Sequence, residues 1–175
     1  MQPTIGLPPV VGDDARVLIL GSLPSVRSVE LQQYYAFPTN AFWVIMGALV
    51  DAGRELSYPD RLSILKARKI ALWDALASSV RAGSLDQSID QRTAQPNDFA
   101  GFLRRNRRIR LIAFNGRASQ ASFQRFADSD QGVTLAHCEQ ILLPSTSAAN
   151  TSMTVQEKIR AWSVITGYLP AVKGA

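Results

Sequence analysis

Four short runs of apolar residues constrain the fold of this chain more than any other feature. The runs occupy residues 17–20, 70–73, 111–114 and 141–143. Each has the length of one buried strand and stops at a polar or turn-forming residue. Segments with helical periodicity separate them; Phe42, Ile45, Met46 and Leu49, for example, fall at i, i+3, i+4 and i+7. Strands alternating with helices predict an α/β fold, a three-layer α/β/α sandwich with a central four-stranded parallel sheet.

The remaining elements follow from helix caps and turn signals. We predict five helices. The first runs from Phe42 to Gly53, the second begins at Ser57, and the third runs from Phe99 into an arginine cluster. The fourth ends at about Ala127, and the last begins at Thr154. Ser57 and Thr154 each have an acidic residue three positions later, which is typical of a capping box. The last helix is expected to bury Val155, Ile159, Trp162 and Leu169. Residues 1–15 are predicted to be an irregular lead-in, 77–97 a long surface loop with some helical turns, and 132–136 a short extra strand.

Composition excludes several classes of protein. With 175 residues, 46% of them hydrophobic, we expect one globular domain over residues 1–175. No apolar run approaches the roughly 20 residues of a membrane span, and the N-terminus lacks the basic region of a signal peptide. The single cysteine, Cys138, fits a reducing cytoplasm. With His137 as the only histidine, a zinc site is nearly excluded, and a catalytic triad would have no other base.

The net charge of +5 is compatible with nucleic-acid binding but does not establish it. The clearest cluster of positive charge contains Arg104, Arg105, Arg107, Arg108 and Arg110. We favour interpreting this cluster as a solvated helix end, where cations also suit the helix dipole, over interpreting it as a ligand site.

Polar segments follow all four predicted strands. They are Gly21-Ser22, Asp74, Asn115-Gly116 and residues 144–147. In parallel α/β sheets, ligands bind outside the carboxyl ends of the strands. We therefore expect these segments to surround one pocket.

The same segments resemble motifs of the uracil-DNA glycosylase superfamily, and specifically of its hypoxanthine-DNA (deoxyinosine) glycosylase branch. The matching motifs are GSLP at 21–24, QYYAFPTNAFW at 33–43, LWD at 72–74, FNG at 114–116 and LPSTSAAN at 143–150. They occur in the family's order from about residue 16 to residue 150. The resemblance implies the same four-stranded sheet between helices.

The resemblance implies a monofunctional DNA glycosylase that needs no metal, covalent nucleophile or other cofactor. Such an enzyme flips a damaged base out of double-stranded DNA and holds it in a tight pocket, and water then displaces the base from the sugar C1′. We expect a deaminated base as substrate, hypoxanthine before uracil or xanthine, and a monomeric protein. Alternatives are a uracil or G:T/U mismatch glycosylase, a module that binds damaged or single-stranded DNA without cutting, and a small-molecule α/β enzyme.

Two residues of the long motif receive roles from the resemblance. Asn40 corresponds to the branch's catalytic asparagine, whose amide orients water near C1′. Because Asn40 directly precedes a predicted helix, it is equally suited to be an N-cap. Phe42 corresponds to the aromatic that stacks beneath the flipped base, although its place in the 42/45/46/49 stripe also fits a core residue. The neighbouring Tyr34 and Tyr35 fit either a pocket lining or packing.

Base recognition is expected from the strand ends. Asp74 stands where related enzymes read uracil with asparagine, and a carboxylate there can accept from N1–H of hypoxanthine. Asn115 offers two N–H groups for the neighbouring oxo group. Helix capping by Asp74 and a tight turn at Asn115-Gly116 are the structural alternatives. The backbone of Gly21 and Ser22 is expected to face the base or an adjacent phosphate.

The second long motif is expected to contact DNA. Ser145, Thr146, Ser147 and Asn150 are its candidate DNA-binding residues. Apolar wedges commonly unstack DNA, but this loop offers only Ala148 and Ala149. Leu23 and Leu143 replace an Asp or Asn and a histidine of uracil-specific relatives, which argues against efficient uracil excision. Phe37 and Ala148 also differ from the branch, which commonly has histidine and proline there.

Overall fold

A parallel sheet covered by helices forms the centre of the computed structural model, which describes residues 2–127 and 138–171. In chain order, the elements are β1 (Thr4–Ile5), β2 (Val17–Gly21), α1 (Val26–Leu31), α2 (Phe42–Val50), α3 (Tyr58–Ala67), β3 (Ile70–Asp74), β4 (Leu76–Ser79), β5 (Gln95–Pro96), α4 (Phe99–Arg105), β6 (Leu111–Asn115), α5 (Arg117–Ala127), β7 (Glu139–Leu143) and α6 (Val155–Trp162). Two 3₁₀ helices are Asp86–Ser88 and Ser163–Tyr168.

The central sheet has the strand order β3-β2-β6-β7, and every neighbouring pair is parallel. The chain leaves β2 toward β3 on one side and later returns to place β6 on the other side. The carboxyl end of β2, at Gly21, is therefore a topological switch point, where open α/β sheets bind ligands. The predicted α/β fold with four parallel strands is confirmed.

The two faces of this sheet bury two separate apolar clusters, because side chains alternate along each strand. On one face, Ile19 and Leu72 pack with residues of α2, α3 and α6. On the other face, Leu18 and Phe114 pack with residues of α4 and α5. This arrangement explains why the central strands read as continuous apolar runs, since both of their faces are covered.

The region predicted to be a surface loop, residues 77–97, contains much more structure than expected. β4 begins directly after β3 and pairs antiparallel with β5 and with β1, which forms a second, three-stranded sheet. The lead-in of residues 1–15 supplies β1, and Val10 also bridges to Leu72. The rest of residues 2–15 is irregular, and the 3₁₀ helix at Asp86–Ser88 fits the predicted helical turns. The short strands were missed because segments of mixed polarity carry little periodic signal.

Other local predictions met mixed outcomes. The Thr154–Glu157 capping box is present. At Ser57 the hydroxyl accepts from the Asp60 backbone N–H and donates to the Asp60 carboxylate, which is not the reciprocal pattern of a capping box. Val155 is exposed, contrary to the prediction, because its helix position faces solvent. Helix α1 was not predicted, and the predicted strand 132–136 lies outside the described residues, as does His137. None of the helices in the described part of the chain is long and apolar enough to span a membrane.

Candidate active site

A cavity of about 860 Å³ opens at the carboxyl edge of the parallel sheet. The ends of β2, β3 and β6 form its base, as expected from the polar segments that follow those strands. Segments 22–25, 34–40, 81–87 and 145–150 surround it. Of the predicted site residues, the cavity brings together Gly21, Ser22, Asn40, Asp74, Asn115, Ser145, Thr146, Ser147 and Asn150. Phe42 is absent from this group.

The close approach of β2 to the Asp74 side chain requires a glycine. A β-carbon on Gly21 would lie 2.3 Å from Asp74 Oδ1 and 3.3 Å from the hydroxyl of Tyr35. The missing side chain therefore leaves room for two polar groups to converge at the base of the cavity. Glycine is needed at this position for the space that it leaves, not for an unusual backbone conformation.

Asp74 is 3% exposed, and its Oδ2 has no hydrogen-bond partner among the described residues. Burial and, to a smaller extent, the nearby Asp86 raise the pKa of its carboxyl while Arg81 lowers it, and the net pKa is about 7. The side chain is thus not committed to capping a helix, which was its alternative interpretation. It is available to a ligand, and near neutral pH it is present in both charged and neutral forms.

Tyr35 replaces Phe42 as the aromatic side chain of the cavity. The two rings stack with centroids 3.9 Å apart and planes 21° from parallel, and Phe42 is 0% exposed. Tyr35 is half-buried and lines the cavity, whereas Phe42 belongs to the core beneath it. The structure therefore contradicts direct base contact by Phe42, since the packing that the 42/45/46/49 stripe predicts removes it from the cavity.

The adjacent tyrosines have different structural roles. The Tyr34 hydroxyl donates to the carbonyls of Leu7 and Pro8 at 3.2 and 3.1 Å, so this side chain holds the N-terminal segment. The Tyr35 hydroxyl is buried and has no partner within the described ranges. Burial and the neighbouring Asp74 raise the pKa of Tyr35, which keeps its hydroxyl protonated. The sequence did not distinguish these two roles.

Asn40 lies at the cavity and also stabilises the start of α2. Its Oδ1 accepts from the backbone N–H of Phe42 at 3.0 Å, although the capping position itself is Ala41. The guanidinium of Arg54 donates to the Asn40 backbone carbonyl. The amide nitrogen of Asn40 has no partner in the described part of the chain, so the same side chain is fixed by its oxygen and free at its nitrogen.

Asn115 joins the end of β6 to the second long motif. Its Nδ2 donates to Thr146 Oγ1, and its Oδ1 accepts from the Thr146 backbone N–H, both at 2.9 Å. Gly116 has φ = +89°, and a β-carbon there would lie 2.9 Å from Ser145 Cβ. Asn115 therefore positions the 145–150 loop, which leaves one of its amide hydrogens for other contacts.

Hydrogen bonds within the 145–150 loop, and from Ala41 and Lys158, hold this loop in place. Thr146 is fully buried. Its carbonyl accepts from the Ala41 N–H at 2.9 Å, and its hydroxyl accepts from Asn115 Nδ2. This burial does not fit the expected contact between the Thr146 hydroxyl and DNA. Asn150 Nδ2 donates to the Ser145 carbonyl at 3.1 Å. The buried Lys158 ammonium donates to the Asn150 carbonyl at 2.8 Å. Ser145, Ser147 and Asn150 remain at the cavity as candidate DNA contacts.

The wall formed by residues 81–87 was missed by sequence reasoning. Buried Arg81 donates to the carbonyls of Gly83 and Ser84, each at 2.8 Å, and this holds the segment in a fixed loop. Asp86 accepts a 2.5 Å hydrogen bond from the Ser22 hydroxyl. Nothing in the local sequence distinguishes these side chains from solvated charges. Exposed Arg117, at the start of α5, also lines the cavity and was not predicted.

No group of three or more metal-ligating side chains occurs in the part of the chain that the structure describes. The polar groups at the cavity are instead amides, hydroxyls, two carboxyls and the guanidinium groups of Arg81 and Arg117. These can orient water and form hydrogen bonds with a flat heterocycle over an aromatic ring.

Comparison with known proteins gives related sequences and a related structure. A hypoxanthine DNA glycosylase of Methanosarcina acetivorans is 41% identical over 113 residues, which cover 64% of this chain and 70% of that protein. One of Methanosarcina barkeri is 36% identical over 115 residues, covering 65% and 72%. A solution NMR structure from Methanosarcina acetivorans, provisionally described as a uracil DNA glycosylase, has a TM-score of 0.77 and 32% identity over 94% of this chain and 97% of its own. A scan of protein-family models matched none.

Proposed function

The chain belongs to the hypoxanthine DNA glycosylase family of the uracil-DNA glycosylase superfamily, and we propose that it excises hypoxanthine from double-stranded DNA. It is a DNA glycosylase. The observation that carries the substrate proposal is the convergence of Asn40, Asp74 and the half-buried Tyr35 ring in one cavity. An amide, a buried carboxyl and an aromatic face suit a flipped purine, for which no metal or covalent nucleophile is required.

In the proposed reaction, water replaces the base at C1′. The C1′–N9 bond breaks with its electron pair remaining on the base, the water oxygen bonds to C1′ of the cationic sugar, and the proton that the water loses neutralises the departed base. Asn40 orients this water with its amide, because its Oδ1 is already fixed by the Phe42 N–H. A side chain held in one rotamer positions water with less loss of entropy than a mobile one.

The base stacks on Tyr35, supported from below by Phe42. Base–aromatic stacking is worth about 1–3 kcal/mol. Asp74 contacts the N1–H and C6=O edge, since its Oδ2 is buried and lacks a partner among the described residues. Bases with this N–H next to C=O arrangement include hypoxanthine, xanthine and uracil, which makes uracil the second candidate substrate.

Contacts to DNA come from the cavity rim. Ser145, Ser147 and Asn150 face the strand that carries the lesion, and exposed Arg117 pairs with a phosphate. Phe37 is 48% exposed at the same rim. Because the 145–150 loop has only alanines to offer as apolar wedges, Phe37 is the side chain that supports the stack when the nucleotide leaves.

A strand-nicking assay tests the proposal. Duplexes carrying hypoxanthine, uracil or xanthine are incubated with the protein and treated with alkali, which cleaves at abasic sites. We expect hypoxanthine release by the wild type and by the control Asn106→Ala, whose side chain bonds only within the α4 end, but not by Asn40→Ala. Release of uracil alone would contradict the substrate, and binding without release of any base would indicate a module that recognises damage without cutting.

A further inference from the structure

Asp86 is exposed to solvent, but it reaches the cavity on a segment that hydrogen bonds hold in place. Arg81 holds the carbonyls of Gly83 and Ser84, and a third hydrogen bond of 3.3 Å joins it to the Leu23 carbonyl. The same guanidinium thus ties the 81–87 wall to the loop that follows β2. Asp86 is consequently held next to Ser22, whose hydroxyl donates to it at 2.5 Å.

The hydrogen bond between Ser22 and Asp86 determines what this wall can offer to a base. A serine hydroxyl has one proton, and here Asp86 accepts it. Ser22 can therefore present only lone pairs to the cavity. A donor for the C6 oxo group of hypoxanthine has to come from another side chain.

Asp74 can supply that donor only when it is neutral. An ionised carboxylate accepts from N1–H but repels the adjacent C6 oxygen, and this repulsion grows as the base departs with negative charge. A neutral carboxyl accepts from N1–H with one oxygen and donates to C6=O with the other. The donated hydrogen bond strengthens as charge develops on O6, so it favours the transition state over the bound substrate.

We propose that Asp86 is a positioning residue for base recognition: its negative charge keeps a proton on Asp74, so that the Asp74 carboxyl meets the N1–H and C6=O edge of the departing base as acceptor and donor. This inference rests on the proposed function. A like charge nearby disfavours ionisation of a carboxyl. Asp86 is placed to have this effect because the Ser22 hydrogen bond and the Arg81-held loop fix it beside the cavity.

The groups that face Asp74 make the direction of the effect clear. Burial raises the pKa of Asp74 most, Asp86 raises it further, and Arg81 lowers it, with a result of about 7. Tyr34 and Tyr35 also interact with Asp74, and both remain uncharged because burial raises their pKa. Removing the charge of Asp86 should therefore lower the pKa of Asp74 and increase its ionised fraction at neutral pH.

The test is the pH dependence of single-turnover hypoxanthine excision. The wild-type rate should fall about tenfold per pH unit above a midpoint near 7, as expected for loss of one proton. Asp86→Asn keeps an acceptor for Ser22 but removes the charge, so its midpoint should move to lower pH. Ser22→Ala removes the hydrogen bond and keeps the charge, so it should change the maximal rate more than the midpoint.

A second variant keeps the proposal testable if Asp86→Asn fails to fold. Asp74→Asn carries a permanently neutral donor and acceptor, so at pH 8.5 it should excise hypoxanthine faster than the wild type does. Equal midpoints for the wild type and Asp86→Asn, or loss of the Asp74→Asn advantage at high pH, would overturn the role of the proton. Wild-type excision of hypoxanthine in the same experiment would leave the proposed function intact in either case.

Discussion

The two edges of the parallel sheet carry opposite kinds of polar groups. At the amino edge, exposed Arg104, Arg105, Arg107 and Arg108 surround Asp14 at a depression of about 300 Å³. Arg108 pairs with Asp14 at 3.2 Å. At the carboxyl edge, Arg81 and Arg117 are accompanied by neutral and acidic groups, and the buried Tyr35 hydroxyl and Asp74 Oδ2 lack partners among the described residues.

The polar groups of the two edges differ in how much they destabilise the folded protein. Exposed arginines near the C-terminus of α4 are hydrated and suit the helix dipole, so they cost little. A buried polar atom without a partner costs about 1–3 kcal/mol. The carboxyl edge retains two such atoms in one cavity, which is expected where a ligand completes the hydrogen bonds. Positive charge alone would have pointed to the amino edge instead.

The largest expected effect at the carboxyl edge is that of Asn40→Ala. Loss of the amide leaves the attacking water without orientation, so the single-turnover rate should fall by about a hundredfold or more. The Phe42 N–H also loses its acceptor, which should cost about 1 kcal/mol of stability. Excision kinetics and thermal unfolding are measured together, and DNA affinity should stay nearly constant. A rate within threefold of the wild type would exclude Asn40 from the chemistry.

Tyr35 and Phe42 form a stacked pair, and substituting them should affect different properties: activity at Tyr35 and stability at Phe42. Tyr35→Ala removes the platform and should lower kcat/KM about 5- to 150-fold, the equivalent of 1–3 kcal/mol of stacking. Tyr35→Phe keeps the ring and should remain within about threefold. Phe42→Ala empties a core position and should lower the free energy of unfolding by about 3–5 kcal/mol. Denaturant unfolding and excision kinetics separate these effects, and equal stability losses at both positions would remove the distinction.

The fold was largely predictable because three of its four strands, β2, β3 and β6, are buried on both faces. Such strands appear as continuous apolar runs, and the structure places them beside β7 in one parallel sheet, with the ends of β2, β3 and β6 and the segment after β7 at one cavity. The capping box at Thr154 was equally local, since both of its residues lie within one turn of helix.

The remaining features depend on contacts between distant residues. Tyr35 and Phe42 are both aromatic, and only the packing of α2 shows which of them faces the cavity. Asp86 lies 64 residues from Ser22 in sequence, so no local pattern predicts their hydrogen bond. The hydrogen bonds between Asn115 and Thr146 also join distant residues. The sequence therefore offered only base recognition or a tight turn as the role of Asn115.

Phe37 tests whether the rim of the carboxyl edge acts on duplex DNA. Phe37→Ala should reduce excision from a fully paired duplex by about tenfold, because unstacking costs a few kcal/mol that an apolar wedge offsets. Excision from a single-stranded oligonucleotide should change little, since no stack has to open. The ratio of the two rates is the measurement. Val44→Ala, also an exposed apolar position but absent from the cavity lining, is the matched control and should leave the ratio unchanged.

The smallest effects come from single arginines, and they compare the two edges directly. Arg117→Gln at the cavity and Arg105→Gln at the amino edge lower the net charge by the same amount. If Arg117 pairs with a phosphate, its variant should bind DNA severalfold more weakly and reduce the salt slope of log K by about 1. Arg105→Gln should shift affinity slightly and keep the slope, because long-range attraction is screened beyond roughly 10 Å at 0.1 M salt. Equal losses of slope for both variants would mean that DNA contacts both edges of the sheet, and that the arginine cluster is part of the binding surface.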